Sequence, residues 1–307
     1  MGRALTSLKP DRLLTAEERR QWDEDGYLHI RNAIPSREVD ELLAGLLALH
    51  ERFCGDHGNP GWQADVFDAG NDRDLSIANA ITWAPSTTRL LDHPGAFGKV
   101  LGVMGPYLQV LGSEIFCRYP FPAPLVDFHT DVGPALRTAA PAGDKAVQVK
   151  AQFFLTDVRE PDHGNLTVAP GSHRRAFPGK IGFGQVTNAV QILAGAGDVV
   201  LFPLSLGHGV ACNRSTSMRV SVIVRYGQAF CRPVDYWTTP GEQVMERLTP
   251  RQRRLLGDLG ARSRPGDFYG TLPDQMELMY GDQWSQTSEA QADLALAAAD
   301  QRTYETF

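Results

Sequence analysis

Residues 198–226 read DVVLFPLSLGHGVACNRSTSMRVSVIVRY. The apolar run Val199-Val200-Leu201-Phe202-Pro203 gives way to Leu206-Gly207-His208-Gly209, then to the polar Asn213-Arg214-Ser215-Thr216-Ser217, then to a second apolar run from Met218 to Val224. Short β-branched runs divided by turn residues are the pattern of strands in an antiparallel sandwich or barrel. The polar stretch reads as a hairpin turn that returns Arg219 toward the strand carrying His208. The same rhythm reaches back to Leu108, with strand-like runs at 108–117, 125–131, 146–156, 165–169, 190–193, 198–204 and 218–226.

The flanks have a different period. Thr15-Ala16-Glu17-Glu18 has the spacing of a capping box and opens a short helix that Gly26 ends. Tyr27 to Ile30 reads as a strand, and Ser36 caps a longer helix with Val39, Leu42, Leu43, Leu46 and Leu47 at helical spacing. Helical spacing returns between Ser86 and Val103. Residues 55–74, rich in Gly, Asp and Asn around Trp62 and Phe67, read as an ordered loop or lid. Beyond Thr249 the pattern is helical again, with an Arg-rich stretch at 251–254 and an Ala-rich run at 292–299. The expected plan is mainly β with flanking helices, one unit over 1–307: an N-terminal helical and lid part (1–105), a β core (106–230) and a C-terminal helical extension (231–307).

Composition narrows the function classes. A chain of 307 residues that is 42% hydrophobic and 21% charged has material for a sizeable core. The formal charge of -6 is mild, and the Lys and Arg residues form no run able to track a phosphate backbone, so nucleic acid is not an expected partner. No apolar stretch approaches the roughly 20 residues of a membrane-spanning helix, and the N-terminus lacks the apolar core of a signal peptide. Cys54, Cys117, Cys212 and Cys231 stand far apart without a CxxC spacing, which fits reduced thiols in a cytoplasmic protein. Oligomeric state is not legible.

The chemistry concentrates in the β region. His129-Thr130-Asp131 closes the run 125–131, and residues two apart on a strand project to the same side, so one imidazole and one carboxylate converge. A second histidine would complete the two-His, one-carboxylate facial triad that leaves positions open on iron. His208, between glycines that permit close backbone approach, is the candidate. Arg219 follows eleven residues later on an apolar strand. A charge buried there needs a partner, and a carboxylate ligand suits a planar guanidinium fork. Ser221 shares its face and can donate a further hydrogen bond. Singly, each feature has an ordinary reading: a chance HxD, a surface histidine, an arginine bridging to an internal acid.

Together they resemble the phytanoyl-CoA dioxygenase family of Fe(II)- and 2-oxoglutarate-dependent oxygenases. The resemblance rests on His129-x-Asp131, Gly164-Asn165-Leu166 leading into Pro170-Gly171-Ser172-His173, Gly197-Asp198 before an apolar strand, His208, and Arg219-x-Ser221. It spans roughly Leu14 to Val224, including the Asp25-Gly26-Tyr27 entry. It implies a double-stranded β-helix, a cupin-like jelly-roll, with Fe(II) on His129, Asp131 and His208, and 2-oxoglutarate and O2 as co-substrates. The distal carboxylate of 2-oxoglutarate would meet Arg219, with Gln152 and Arg118 at positions where the family places co-substrate contacts. His173 reads as a turn-stabilising residue.

The resemblance further implies hydroxylation of an unactivated C–H bond of a small-molecule substrate, with release of succinate and carbon dioxide. Desaturation, epoxidation and cyclisation use the same site, and Asp131 stands where related halogenases carry a small residue. A cupin-like isomerase or hydrolase with a His/Asp/His site and no need of 2-oxoglutarate is the rival reading. Specificity is expected on 55–74, 132–145 and 174–189, around the barrel mouth. Trp83, Phe116, Tyr119 and Phe121 are candidate lining residues, each also readable as core. No basic entry suited to the phosphates of a CoA thioester is evident.

Overall fold

The structure is a computed structural model that describes residues 13–54, 73–132, 146–175, 180–234, 240–258 and 273–281. The loop with Trp62 and Phe67, most of the expected mouth segment 132–145, residues 176–179 and the Ala-rich run at 292–299 lie outside the described residues.

Helix α1 (Ala16–Asp25) starts at the expected capping box: Thr15 Oγ accepts from Glu18 N–H at 3.1 Å, and the Glu18 carboxylate accepts from Thr15 N–H at 2.7 Å. Strand β1 (Leu28–Ile30) and helix α2 (Ser36–Cys54) follow, the helix burying Val39, Leu42, Leu46 and Leu49. Next come β2 (Leu75–Ala78), the single turn α3 (Ala80–Trp83) and α4 (Pro94–Met104). The expected helical span from Ser86 to Val103 is divided. A 3-10 segment occupies Pro85–Leu90, and Pro94 holds His93 in an extended conformation (ψ 125°) at the start of α4.

The β region comprises β3 (Leu108–Arg118), β4 (Val126–His129), β5 (Gln148–Phe154), β6 (Leu166–Val168), β7 (Lys180–Ile181), β8 (Val190–Gln191), β9 (Val199–Pro203), β10 (His208–Val210) and β11 (Arg219–Gln228). Three short helices close the described chain: α5 (Glu242–Met245), α6 (Pro250–Leu255) and α7 (Pro273–Tyr280). Each strand-like run of the sequence contains a strand. Three strands lacked a legible signal: β2, which extends the sheet beyond β3, and β7 and β10, whose two and three residues are too few to show a period.

All pairings are antiparallel. The larger sheet has the order β1-β9-β5-β11-β3-β2 and the smaller β7-β4-β10-β6-β8, which together make the jelly-roll. Alternation along the larger sheet explains its position. Val220, Val222 and Val224 of β11, with Ile115 and Cys117 of β3 and Val149, Ala151 and Phe153 of β5, join the core that also holds the buried faces of α2 and α4. The intervening residues, Arg219, Ser221, Ile223, Gln152 and Lys150, face the barrel interior, where Phe154, Val200 and Phe202 pack with Leu166 and Val168 of the smaller sheet. The larger sheet is therefore buried on both faces. Each fully buried aliphatic side chain contributes about 1.5–3 kcal/mol, enough collectively to hold a charged interior.

The turn at Asn213–Ser217 differs from expectation. It does not pair β10 with β11, because β10 lies in the smaller sheet beside β4 and β6 while β11 lies between β3 and β5. The chain instead crosses from sheet to sheet. Asn213 organises the crossing: Nδ2 donates to Ser217 O and Arg118 O, and Oδ1 accepts from Ser215.

Gly197-Asp198 ties the N-terminal segment to the barrel. The Asp198 carboxylate accepts from Asn32 N–H and Gly195 N–H at 2.8 and 2.9 Å and pairs with His29 Nε2 at 2.8 Å. Gly197 has φ +92°, and a Cβ there would sit 2.7 Å from Ile34 O, so only glycine permits the contact. We predict that Asp198→Ala destabilises the protein by about 2–3 kcal/mol in denaturant titration at neutral pH, since charge-assisted hydrogen bonds are lost. These bonds hold the Asp198 carboxyl below its ordinary value, against the upward push of burial. That stabilisation is therefore present above the ordinary carboxylate pKa and lost as pH falls through the depressed one, so the gap between wild type and variant should close in acid.

Candidate metal centre

His129 ends β4 and His208 opens β10, and the two are direct cross-strand partners with ring centroids 4.5 Å apart. Gly209 allows this closeness, because a Cβ there would lie 2.8 Å from Val126 O of β4. Asp131 stands two residues beyond the end of β4, not on the strand, with its N–H held by Leu204 O at 3.0 Å. The three ligand atoms lie within 4.8 Å of one another. Asp131 Oδ1 is 3.6 Å from His129 Nε2, and Oδ2 is 3.4 Å from His208 Nε2.

Both imidazoles are oriented in one way. His129 Nδ1 contacts Asp127 O, and His208 Nδ1 contacts Leu206 O, each at 2.9 Å. Carbonyls only accept, so each Nδ1 carries the proton and each Nε2 turns its lone pair to the common point. Ser172 steadies the second ring: its Oγ accepts from Gly207 N–H at 2.8 Å, beside the His208 backbone. This is what Pro170-Gly171-Ser172 contributes, while Gly171 N–H bonds Asp25 O and fastens the helix entry to the same corner. His173 stays out of the cluster and packs on Gly26.

The donor set fits a divalent metal ion of the iron type. Burial would raise the Asp131 carboxyl, but Lys150, His208 and His129 together hold it well below the usual carboxylate range. Burial pushes His208 down to about 4, against the pull of Asp131, so its imidazole is neutral near pH 7. The Asp131 carboxylate raises His129, against burial. Asp131 Oδ2 lies 2.8 Å from Lys150 Nζ but out of line for a hydrogen bond, so this buried oxygen has cationic neighbours and no donor. One anion and two Nε2 lone pairs around an unsatisfied oxygen are the donors of a facial triad.

A cavity of about 180 Å³ adjoins the three side chains. At one end stands Arg219, 3% exposed, whose Nη1 donates to Ser221 Oγ at 2.8 Å and whose Nε has no partner. Among the described residues no carboxylate forms an ion pair with it. Burial, then the neighbouring Arg118 charge, pull it down to about 9, which leaves it cationic at neutral pH. Gln152 Nε2 also donates to Ser221 Oγ, at 3.1 Å, which leaves the Ser221 hydroxyl proton available to a ligand. Arg118 is the cross-strand partner of Arg219 and takes its ion pair from Asp74 at 3.4 Å. A larger cleft of about 680 Å³ between residues 169–175 and 181–188 contains none of the three candidate ligands.

Of the seven candidate site residues, His129, Asp131, His208, Arg219, Gln152 and Arg118 line this cavity, and Ser221 bonds Arg219 and Gln152 behind it. The lining also includes Glu114, Lys150, Phe202, Ile223 and Arg225, which the sequence reading passed over. Their signal was present: Ile223 and Arg225 continue the alternation of Arg219 and Ser221, and Lys150 precedes Gln152 by two. Of the aromatic candidates, Phe116 lines the cavity. Trp83 packs on Phe53, Tyr119 stacks with His50 and Arg73, and Phe121 is exposed.

Residues 22–221 match the model of the family described as phytanoyl-CoA dioxygenase (PhyH). A probable phytanoyl-CoA dioxygenase of Caenorhabditis elegans is 22% identical over 300 residues, covering 89% of this chain and 91% of that protein. Among solved structures, HygX from Streptomyces hygroscopicus with nickel, 2-oxoglutarate and hygromycin B bound superposes with a TM-score of 0.59 at 22% identity, over 73% of this chain and 93% of that one. The 2-oxoglutarate-dependent carbocyclase SnoK from nogalamycin biosynthesis gives 0.54 at 24%, over 78% and 93%. At these identities the structural likeness is one of fold.

We predict that Asp131→Ala lowers Fe(II) affinity at least about 100-fold in competition with a chelating dye, because loss of a mere orienting partner already costs 10–100-fold. Circular dichroism of the variant should retain the β signal; undiminished affinity would remove Asp131 from the ligand set.

Proposed function

We propose that this chain, which belongs to the phytanoyl-CoA dioxygenase family and is a non-haem iron- and 2-oxoglutarate-dependent dioxygenase, hydroxylates an unactivated C–H bond of a small-molecule metabolite. His129, Asp131 and His208 are the proposed iron ligands. Arg219, with Ser221, is the proposed seat of the distal carboxylate of 2-oxoglutarate, while Gln152 and Arg118 support that seat. The observation that carries the reading is the buried guanidinium of Arg219, without a carboxylate partner among the described residues, in the cavity that the three ligands share.

When bound, iron and 2-oxoglutarate supply the oxidising equivalent taken from O2, with release of succinate and carbon dioxide. The chain's own residues bind, orient and exclude. Asp131 would supply the single anionic donor, and Lys150, 2.8 Å from its Oδ2, keeps it ionised. The backbone carbonyls of Asp127 and Leu206 keep the imidazole protons on Nδ1, so neither ring needs to change tautomer to ligate. Arg219 fixes a carboxylate at the end of the cavity and so sets the reach of the co-substrate toward the triad. Phe116, Phe202 and Ile223 exclude water, which strengthens each charged contact.

HygX is described with hygromycin B bound and SnoK as a carbocyclase, so this fold accommodates different small molecules and outcomes. Hydroxylation is proposed because Asp131 keeps the anionic ligand that halogenating relatives lack. Desaturation, epoxidation or cyclisation would use the same residues with a differently held substrate.

Anaerobic titration of the metal-free protein with Fe(II) and 2-oxoglutarate should produce a visible charge-transfer band that needs both components and is absent in His208→Ala. Metal binding without the band would favour cupin-like chemistry instead. Arg219→Ala should keep its Fe(II) affinity while needing roughly 30- to 150-fold more 2-oxoglutarate to form the band, the equivalent of about 2–3 kcal/mol for a lost charged pair. An unchanged requirement would make Arg219 structural.

A further inference from the structure

The end of the cavity away from Arg219 holds a second set of charges. Arg225 lies six residues along β11 from Arg219 on the same face, which places their backbones roughly 20 Å apart. Lys150 is its cross-strand partner on β5, and Glu114 lies on the neighbouring strand β3. Arg225 Nη2 is 3.3 Å from Glu114 Oε1, and Lys150 Nζ is 3.9 Å from Glu114 Oε2 and 2.8 Å from Asp131 Oδ2. All three line the cavity beside the candidate ligands. Arg225 Nε and Glu114 Oε2 are buried without a hydrogen-bond partner.

Their exposure orders the cavity. The Arg118 side chain is 4% exposed and Arg219 is 3% exposed, whereas the side chains of Glu114 and Arg225 are 15% and 14% exposed. His129 of the triad is 29% exposed, so the cavity opens beside the triad and Arg219 lies at its buried end. On the proposed functional reading, on which this inference rests, the charges in the loaded site do not cancel. A divalent metal is neutralised by Asp131 and by one carboxylate of 2-oxoglutarate, Arg219 by the other carboxylate, and Arg118 by Asp74. Glu114 offsets only one of Lys150 and Arg225. Among the described residues one positive charge then remains beside the triad, in a part-buried cavity where an uncompensated charge is costly.

We propose that Lys150 and Arg225 anchor a carboxylate on the substrate. Glu114 engages both cations, Arg225 through Oε1 and Lys150 through Oε2, which leaves the Arg225 Nε free to donate to the substrate beside the Lys150 ammonium. The leftover charge is single, which matches a monoanionic carboxylate and not a phosphate monoester. It also sets this chain apart from one acting on an acyl thioester, whose neutral chain near the metal would leave the charge uncancelled. The substrate class is thus a small carboxylic acid oxidised at a carbon that its anchored carboxylate places beside the metal.

The test uses protein loaded anaerobically with Fe(II) and saturating 2-oxoglutarate, titrated by calorimetry with benzoate, with its neutral isostere benzamide and with phenyl phosphate. Benzoate should bind at least tenfold tighter than either and leave the charge-transfer band at full strength, so that it does not act by displacing 2-oxoglutarate. Arg225→Gln, remote from the ligands, should weaken benzoate at least tenfold and leave benzamide unchanged, a split that a merely structural role would not produce; Lys150→Gln, titrated only at Fe(II) and 2-oxoglutarate levels that restore its full band, should weaken benzoate at least tenfold as well. Equal binding of benzoate and benzamide, displacement of 2-oxoglutarate, tighter phenyl phosphate, or undiminished benzoate affinity in both variants would overturn the proposal. Failure of the wild-type protein to form the band overturns the functional reading itself, and this proposal with it.

Discussion

Arg118 and Arg219 stand directly opposite each other on β3 and β11, both buried, with Asp74 paired to Arg118. Two guanidiniums on adjacent strands repel, and burial removes the water that would screen them. Such an arrangement persists where the surrounding packing is strong, and the proposed ligand carboxylate would complete the charge balance. The packing comes from a sheet buried on both faces, with aliphatic residues alternating with the charged ones along the same strands. Strand β2 has a part in the same balance, since it pairs with β3 just after Asp74 and so brings that carboxylate to Arg118.

The two sheets divide the work. The larger sheet carries five charged residues and one amide on its inner face: Arg219, Arg118, Lys150, Glu114 and Arg225, with Gln152. The smaller sheet carries the imidazoles on β4 and β10, and Asp131 follows β4. Convergence of these groups depends on how the sheets are held together, and that falls to polar contacts at the corners. Asn213 braces the crossing before β11, Ser172 holds the backbone before His208, and Asp198 fastens the N-terminal segment to β9. Each of these side chains satisfies backbone groups in loops, where no ladder is available to do so. This is the physical content of the Gly-Asp and Pro-Gly-Ser stretches in the sequence: they are joints, and the histidine after the serine is not a ligand.

Much of the site was legible because strand alternation is a strict rule. Alternation holds for Arg219 and Ser221 on β11, whereas Asp131 lies past the end of β4 and meets His129 because Leu204 O holds its backbone. The same rule extended by two residues from Ser221 and then from Ile223 would have found Arg225, and by two from Gln152 would have found Lys150. They were missed because a lone charged residue in an apolar run reads as an outward one until burial is known. The crossing at Asn213–Ser217 was misjudged for another reason: a turn-rich stretch between two strands has the same composition whether it joins neighbours or passes between layers. The break before α4 was foreshadowed by Pro94, yet a proline at the first turn of a helix is also compatible with a continuous apolar stripe.

The placement of cations at both ends of the cavity raises a question of mistaken identity, since a substrate carboxylate and a co-substrate carboxylate are chemically alike. Geometry separates them. Arg219 is the more deeply buried and already donates to Ser221, so a monocarboxylate reaching it gains one charged contact and forgoes the metal. A 2-oxo diacid gains the metal and Arg219 together, and the second contact, once the first is made, is effectively intramolecular. At the other end Glu114 already occupies part of the positive field of Lys150 and Arg225. That leaves room for one negative charge and disfavours a second, so a dianion is better accommodated across the metal and Arg219. The two ends would therefore sort two similar ligands by charge, because Glu114 stands beside Lys150 and Arg225 while, among the described residues, no carboxylate pairs with Arg219.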